Sequence, residues 1–337
     1  MRLSKEDRKR LIRAVQSGVP FDRRPFASMA ESLGLSERET IQELRELNQE
    51  KILREISAVL EGDALGYQSA LATGSIPEER IERAAEVISA HPTVSHNYLR
   101  NHQYNLWFTI AAPLEMSLEH TLELLAKEAG VDGFHLLRRT HVFKIGVNFD
   151  SESLKNRTAA AHTTKAQRIE VGARGAQLFR TLQTPLPLIE RPFDELARKA
   201  RVDCDELIGF AKIHLGGAIR RYVGTLRHRK LGVKQNGMVV WRVSPSEVRA
   251  AGELLAKAPE VSHCYARNPL KDFPYTLYSM VHGPDRETCR ELARRLSRES
   301  GLDGYAVLFS EREFKKQRLR YFLPELDCWW SGRVGAP

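Results

Sequence analysis

Polar side chains recur at every second position in residues 94–102. These side chains are His96, Tyr98, Arg100 and His102. In a β-strand this spacing places them on one face, and two imidazoles, a phenol and a guanidinium suit proton transfer and anion binding better than a dry core. The apolar residues 104–112 predict a neighbouring strand that anchors the first one. We therefore expect one wall of a functional site here.

The same stretch returns in the second half of the chain. Residues 261–284 repeat the pattern of residues 94–113. The matching side chains are His263, Tyr265 and Arg267. Pro269, however, stands where the first copy has His102. The chain therefore consists of two related halves that are not equivalent.

Positive charge is concentrated in residues 219–243 of the second half. The candidate site residues there are Arg220, Arg221, Tyr222, Arg227, His228, Arg229 and Lys234. Guanidinium groups grip carboxylates and phosphates through paired hydrogen bonds, and a histidine among them suits proton transfer near neutral pH. A solvated basic strand explains the charge equally well. The first half has Glu61 and Asp63 at the corresponding place, so the cationic cluster belongs to one half only.

This asymmetry predicts a composite site. The first half would supply the strand residues from His96 to His102, and the second half would supply the cationic cluster. Each chain would then have one competent site and a degenerate copy. The remaining histidines of the predicted sheets and helices are explained as hydrogen-bonded structural residues. These are His91, His120, His135, His141, His214 and His282.

Composition sets limits on the class of protein. The chain has 337 residues, with 52 Lys and Arg against 43 Asp and Glu, and a net charge of +9. This charge favours an anionic partner such as nucleic acid, an acidic membrane surface or a polycarboxylate, although a generic basic surface explains it as well. Four scattered cysteines without a C-x-x-C pair argue against a disulfide framework, a zinc site or an iron–sulfur cluster. The charged N-terminus and the lack of long apolar runs predict a cytoplasmic protein without membrane segments.

The elements that must position these residues recur in both halves. Helix, short helix, turn, helix and strand form the outline of a winged helix-turn-helix, and the β-α-β-β-α-β pattern that follows predicts a ferredoxin-like sandwich. The predicted fold is therefore α+β, with two tandem copies of this pair of modules. The predicted domains are the first winged helix-turn-helix at 1–60, the first sandwich at 61–150, a linker at 151–168, the second winged helix-turn-helix at 169–230, and the second sandwich with a tail at 231–337.

The charge of the would-be recognition helices argues against DNA binding. In residues 37–50 five glutamates outnumber two arginines, and residues 203–214 carry three acidic residues against Lys212. Phosphates repel an acidic helix, so reading of the major groove is not expected. A fold can be kept without its usual activity.

The order of the modules and two stretches of the sequence resemble those of known proteins. The order of winged helix, strand and ferredoxin-like module resembles Lrp/AsnC-type regulators. The stretches HNYLRNHQYNLWFTI and RRYVGTLRHRKLGVKQNGMVVW resemble the siroheme decarboxylases, Lrp-like enzymes that normally have two related subunits. Both subunits look fused in this chain. The resemblance covers nearly all of it except the linker and the tail after about Tyr321.

The resemblance implies an activity. It implies removal of two acetate carboxyl groups of siroheme as CO2, giving 12,18-didecarboxysiroheme on a route to haem d1 or haem b. Siroheme carries eight carboxylates, which an arginine-rich wall would bind. No cofactor is implied, because the iron is part of the substrate and the macrocycle can absorb the developing charge.

The implied roles divide between anion binding and proton transfer. Carboxylates would be held by Arg100, Arg220, Arg221, Arg227 and Arg229, with Tyr98, Tyr222 and Lys234 as further substrate contacts. His228 and His102 are the leading proton donors. His96 or His102 could instead ligate the siroheme iron through a neutral imidazole nitrogen. The departures at Pro269, Glu61 and Asp63 put a second active site in doubt.

Two alternative functions remain open from the sequence. The chain could be a DNA-binding transcriptional regulator of the Lrp type, against which the acidic helices count, or a haem-carrying protein without catalysis. Lrp-like modules pair through their sheets, so the fused chain could satisfy this pairing internally; a homodimer is nevertheless expected.

Overall fold

The computed structural model describes residues 3–145, 148–149, 156–157, 167–226 and 235–334. The first-half elements are α1 (Lys5–Ser17), α2 (Pro25–Leu33), α3 (Glu37–Gln49), β1 (Leu53–Leu60), β2 (Tyr67–Gly74), α4 (Ile81–Ala90), β3 (His96–Arg100), β4 (Leu106–Pro113), α5 (Leu118–Ala129), β5 (His135–Ile145), β6 (Asn148–Phe149) and β7 (Asn156–Arg157). The second-half elements are α6 (Ala173–Leu182), α7 (Pro192–Ala200), α8 (Cys204–His214), β8 (Ile219–Leu226), β9 (Gln235–Trp241), α9 (Val248–Lys257), β10 (Val261–Arg267), β11 (Leu277–Gly283), α10 (Arg286–Ser300), β12 (Tyr305–Lys316) and α11 (Pro324–Val334).

One compact unit contains the helical segments of both halves, from α1 to β1 and from α6 to β8, together with Arg320–Leu323. Local sequence fixes its helix ends. Ser36 and Glu39 form a reciprocal capping box at the start of α3, and the left-handed Gly34 ends α2. At the start of α8 the side chain of Asp203 accepts a hydrogen bond from the amide of Glu206.

The strand that follows each helix-turn-helix pairs with its counterpart in the other half. Strands β1 and β8 run antiparallel and form a two-stranded sheet. Neither half therefore builds a wing from its own strands within the described residues. The backbones pack closely here, because a methyl group on Gly224 of β8 would lie 2.9 Å from the side chain of Val15 in α1.

The second compact unit is a closed eight-stranded barrel with the order β10-β11-β9-β12-β3-β4-β2-β5. Each half contributes four strands in its predicted β-α-β-β-α-β order. The last strand of each half extends onto the other half, so that β5 pairs with β10 and β12 pairs with β3. The two sheets are thereby joined at both edges.

The helices of this unit cover the outer faces of the barrel. In the first half, the apolar side chains of β2 and β4 pack with those of α4 and α5. In the second half, those of β9, β10 and β11 pack with α9 and α10. Side chains that alternate with these face the interior, where an apolar cluster includes Trp107, Leu137, Tyr278 and Leu308.

The tail forms a helix, α11, that packs on the first half. The ring of Trp329 lies 4.3 Å from that of His91, and Arg333 forms an ion pair with Glu128 in α5 at 2.8 Å. Trp329 of this helix is therefore packed against the first half. None of the helices in the described ranges is long and apolar enough to cross a membrane.

Candidate functional site

Strand β3 carries the first candidate cluster. We call Ser95, His96, Tyr98 and Arg100 the β3 cluster. Asn97, between them, donates a hydrogen bond to the carbonyl of Ala85 in α4, so the side chains of His96, Tyr98 and Arg100 face the barrel interior. Nδ1 of His96 lies 2.9 Å from Oγ of Ser95, and the rings of His96 and Tyr98 stack at 6.1 Å.

Arg100 is a buried cation held by neutral groups. Its side chain is 6% exposed and its guanidinium carbon lies 5.5 Å from the Tyr98 ring centre. Nη1 donates a hydrogen bond of 2.9 Å to the carbonyl of Leu308, while Nε has no hydrogen-bond partner among the described residues. Burial lowers the pKa of Arg100 to about 10, so the group stays charged at neutral pH. A carboxylate would satisfy such a group.

The structure corrects the predicted position of His102. Strand β3 ends at Arg100, and His102 lies in the turn that follows, where Nδ1 accepts a hydrogen bond of 3.0 Å from the amide of Tyr104. Its ring contacts that of Phe273 at 5.2 Å. Burial lowers the pKa of His102. The expectation that His102 continues the strand face of His96 is therefore wrong.

The second half repeats the geometry of the β3 cluster. We call Ser262, His263, Tyr265 and Arg267 the β10 cluster. Oγ of Ser262 lies 2.9 Å from Nδ1 of His263, whose ring is 6.0 Å from that of Tyr265. The guanidinium carbon of Arg267 lies 5.5 Å from the Tyr265 ring centre, and Nη1 donates to the carbonyl of Leu137 at 2.8 Å.

Three polar residues surround the β10 cluster where the first half has less polar ones. They are Arg139, His282 and Tyr278, in the places of Ser310, Ala111 and Trp107. Nε2 of His282 lies 2.7 Å from Oγ of Ser262, which joins two imidazoles through one hydroxyl. The second copy is therefore not a depleted version of the first.

Residues in and around the β10 cluster could not be selected from the sequence, for different reasons. The repeat itself identified His263 and Arg267, although they were not chosen as site residues. His282 was assigned a structural role, because the first half has Ala111 at that position and the pattern gave no sign of a pair. The alternation of β11 could have placed it on the same face as Tyr278.

The cationic candidates of β8 have different environments within the helical unit. Arg220 forms an ion pair with Glu61, with Nε 3.0 Å from Oε2, so that its guanidinium already has a carboxylate. Arg221 is half-buried, and burial followed by the charge of Arg220 lowers its pKa. Tyr222 is 2% exposed and packs on the ring of Phe21 at 4.7 Å.

Tyr222 is therefore packed among core residues, and its role as a substrate contact stays a prediction. Four further candidates lie outside the described residues, and their roles stay predictions. They are Arg227, His228, Arg229 and Lys234.

In the part of the chain that the structure describes, no group of three or more His, Cys, Asp and Glu could hold a metal ion. A single imidazole can still serve as an axial ligand of a macrocyclic iron.

Comparison with known proteins finds relatives along the whole chain. Residues 8–54 match the siroheme decarboxylase NirDL-like HTH domain, and residues 64–144 and 230–315 match the AsnC-like ligand binding domain. A siroheme decarboxylase of Hydrogenobacter thermophilus is 35% identical over 97% of this chain and 98% of its own length.

Further matches are a relative that corresponds to one half of this chain, and a solved structure of full length. The siroheme decarboxylase beta subunit of Methanosarcina barkeri is 36% identical over 43% of this chain and 95% of its own length. The crystal structure of the siroheme decarboxylase NirDL, in co-complex with an iron-uroporphyrin III analogue, superposes with a TM-score of 0.79 at 31% identity. It covers 97% of this chain and 98% of that one. The chain therefore belongs to the siroheme decarboxylase family, in the form that joins both related halves in one polypeptide.

Proposed function

We propose that this chain is a carboxy-lyase that removes two acetate carboxyl groups of siroheme as CO2 and gives 12,18-didecarboxysiroheme. The observation that carries the proposal is the β3 cluster, in which a buried, charged Arg100 is held by the carbonyl of Leu308 and the ring of Tyr98. Such a guanidinium stabilises a carboxylate strongly, because little water competes for it. The similarity to siroheme decarboxylases along the whole chain supports the choice of substrate.

The reaction needs one proton for each carboxyl group that is lost. The bond between the acetate methylene and the carboxylate carbon breaks, CO2 leaves, and the electron pair stays on the methylene carbon. A proton then converts that carbon into a methyl group. Fixed carboxylate contacts reduce the entropy cost of reaching this geometry, and a positioned imidazole can supply the proton.

We assign carboxylate binding to Arg100 and substrate contact to Tyr98. His96 is the proton donor of the β3 cluster or the axial ligand of the substrate iron. The second role requires a nitrogen without a proton, so the two roles exclude each other at one nitrogen. His228 and His102 are the alternative donors, and Arg221 is a further carboxylate contact in this proposal.

Anaerobic incubation with siroheme, followed by mass spectrometry, tests the proposed activity. We expect a product that has lost the mass of two CO2. A protein that binds siroheme and returns it with unchanged mass would be a carrier, and the proposal would be wrong.

Two substitutions separate the roles of the histidines. His96→Ala should lower turnover, and if His96 ligates the iron it should also change the absorption spectrum of bound siroheme. His120→Ala is the matched control, since His120 lies on the surface of α5 beside Glu123, and it should change neither. Unaltered turnover in a His228→Ala protein would remove His228 as the donor.

A further inference from the structure

The tail helix α11 covers the carboxyl ends of α4 and α5 in the first half. The indole of Trp329 packs on the apolar cluster that contains Leu125 of α5, and it lies against the ring of His91 at the end of α4. Four residues later, Arg333 binds Glu128 in the last turn of α5 at 2.8 Å. A tryptophan and an arginine on one helix thus hold α11 in place.

The second half has a matching surface at the carboxyl ends of α9 and α10. A groove of about 230 Å³ lies there, which we call the α9/α10 groove, and residues that repeat those under α11 line it. The repeated pairs are Leu254 and Val87, Ala258 and His91, Leu296 and Leu125, and Glu299 and Glu128. Leu254 is 43% exposed, whereas Val87, in the cluster that Trp329 covers, is 5% exposed. Because Ala258 is smaller than His91, the second groove also has room for an indole ring.

The α9/α10 groove keeps the carboxylate that binds arginine in the first half. Glu299 is 59% exposed, and the nearest guanidinium nitrogen, Nε of Arg295, lies 3.6 Å from it. Arg295 also binds Glu260 at 2.9 Å. An exposed pair of this length contributes little, so an arginine from outside the chain can compete for Glu299. Lys257 lines the groove as well and favours an acidic residue elsewhere on the incoming helix.

The number of helices and grooves indicates where the occupant comes from. Each chain has two related surfaces and a single α11, which already packs on the first half. A second copy of the chain could supply its own α11 only by exposing its own first-half cluster to water, which costs free energy. A helix from a different protein carries no such cost.

We propose that the α9/α10 groove is a docking site for a helix of a separate protein, which carries a tryptophan and, four residues later, an arginine. The indole packs on Leu254, Ala258 and Leu296, and the guanidinium binds Glu299. This docking is independent of the proposed activity, because it uses the outer helices of the barrel unit and none of the candidate site residues.

A peptide with the sequence of the tail helix tests the groove. A fluorescein-labelled peptide of residues 322–334 is titrated with the native protein in reducing buffer, and binding is measured by fluorescence anisotropy. We expect one saturable site per chain. The same peptide with Trp329→Ala should bind at least tenfold more weakly, because buried tryptophans dominate such interfaces. Lack of saturable binding, or equal affinity of the two peptides, would overturn the proposal.

Substitutions in the protein assign the peptide to the α9/α10 groove. Leu254→Glu should weaken binding at least tenfold, and Glu299→Lys about fivefold, the scale of an exposed ion pair. A peptide with Arg333→Glu should bind the Glu299→Lys protein better than the original peptide does. Glu79→Lys makes the same charge change at an exposed position before α4 and should bind like the native protein. Native affinity in both groove variants would place the peptide elsewhere and contradict the assignment.

Sedimentation of the protein alone distinguishes a separate partner from a second copy. The native protein and the Leu254→Glu variant should have the same oligomeric state at every concentration, because the groove waits for a different chain. Self-association that Leu254→Glu abolishes would show that a second copy occupies the groove, and the proposal of a separate protein would be wrong.

Discussion

Two arginines in the barrel interior show a conflict between stability and binding. A buried charge without a carboxylate costs free energy, because the hydration that it loses is not fully replaced. Arg100 and Arg267 recover part of this cost from the carbonyls of Leu308 and Leu137. Burial lowers the pKa of both guanidiniums to about 10. Such interior guanidinium groups are therefore suited to bind an anion.

This conflict predicts opposite effects of one substitution. Arg100→Met keeps much of the side-chain volume and removes the buried charge, so the melting temperature of the ligand-free protein should stay the same or rise. The KM for siroheme should increase at least tenfold, because a charge-assisted hydrogen bond is lost. Melting curves and steady-state kinetics test this. A lower melting temperature with an unchanged KM would mean that Arg100 is only structural.

His91 gives a prediction about acid stability. It is fully buried, and burial, followed by the charges of Lys315 and Arg333, lowers its pKa to about 3 from the usual 6.5. The unfolded chain therefore binds the proton first as the pH falls. The contribution of His91 to the free energy of unfolding is therefore largest above pH 6.5. It falls by roughly 1 kcal/mol per pH unit between pH 6.5 and about 3.

The His91→Asn variant should show a flatter loss of unfolding free energy over that pH range, measured by urea denaturation. Asparagine can still accept the hydrogen bond that the Thr93 amide gives to Nδ1 of His91, but it does not titrate. His120→Asn, at an exposed position of α5, is the control and should keep the slope of the native protein. Equal slopes in all three proteins would show that His91 does not govern the acid sensitivity.

At the scale of elements, periodicity and caps were sufficient to predict most helices and strands. Ser36 at the start of α3 and Gly34 at the end of α2 are residue types that commonly begin and end helices, and both do so here. The end of β3 at Arg100 was missed, because alternation alone continues to His102 without a signal for the turn. The partners of β1 and β5 were missed as well, since a period of two shows a buried face but not the strand that lies beside it.

The packing of α9 on β5 can be tested with two helical glycines. A methyl group on Gly252 in α9 would overlap the ring of Phe143 in β5, whereas one on Gly209 in α8 would meet nothing within 4 Å. Gly252→Ala should therefore destabilise the protein by about 1–3 kcal/mol. Gly209→Ala should stabilise it by up to about 1 kcal/mol through helix propensity. Denaturant unfolding of both variants measures the difference, and a stabilising Gly252→Ala would contradict the close contact.

At the scale of the whole molecule, the two halves share one barrel. Strands β5 and β12 each leave their own sheet to pair with the other half. The sequence predicted two sandwiches but not their reciprocal pairing. The two halves have similar patterns, so each could equally well pair with a copy of itself. The homodimer, the domain boundaries and the absence of DNA binding stay predictions.

Expression of the two halves as separate chains tests this sharing. Residues 1–150 and 169–337, produced alone, should aggregate or dissolve poorly, because each exposes strand edges that the barrel otherwise pairs. Co-expressed halves should assemble and recover activity. The match of half of this chain to the Methanosarcina barkeri beta subunit supports such a division. A soluble, monomeric first half with a cooperative unfolding transition would contradict the dependence on reciprocal pairing.

The pairing of β5 with β10 and of β12 with β3 gives a single fused chain an advantage over two separate halves. Separate halves would have to find each other by diffusion, and like halves would compete with unlike ones for the same edges. Joining them in one polypeptide raises the effective concentration of the unlike partner and makes assembly independent of dilution. Arg139 then always meets Arg267, and Ser310 always meets Arg100, so every molecule carries one copy of each kind of cluster.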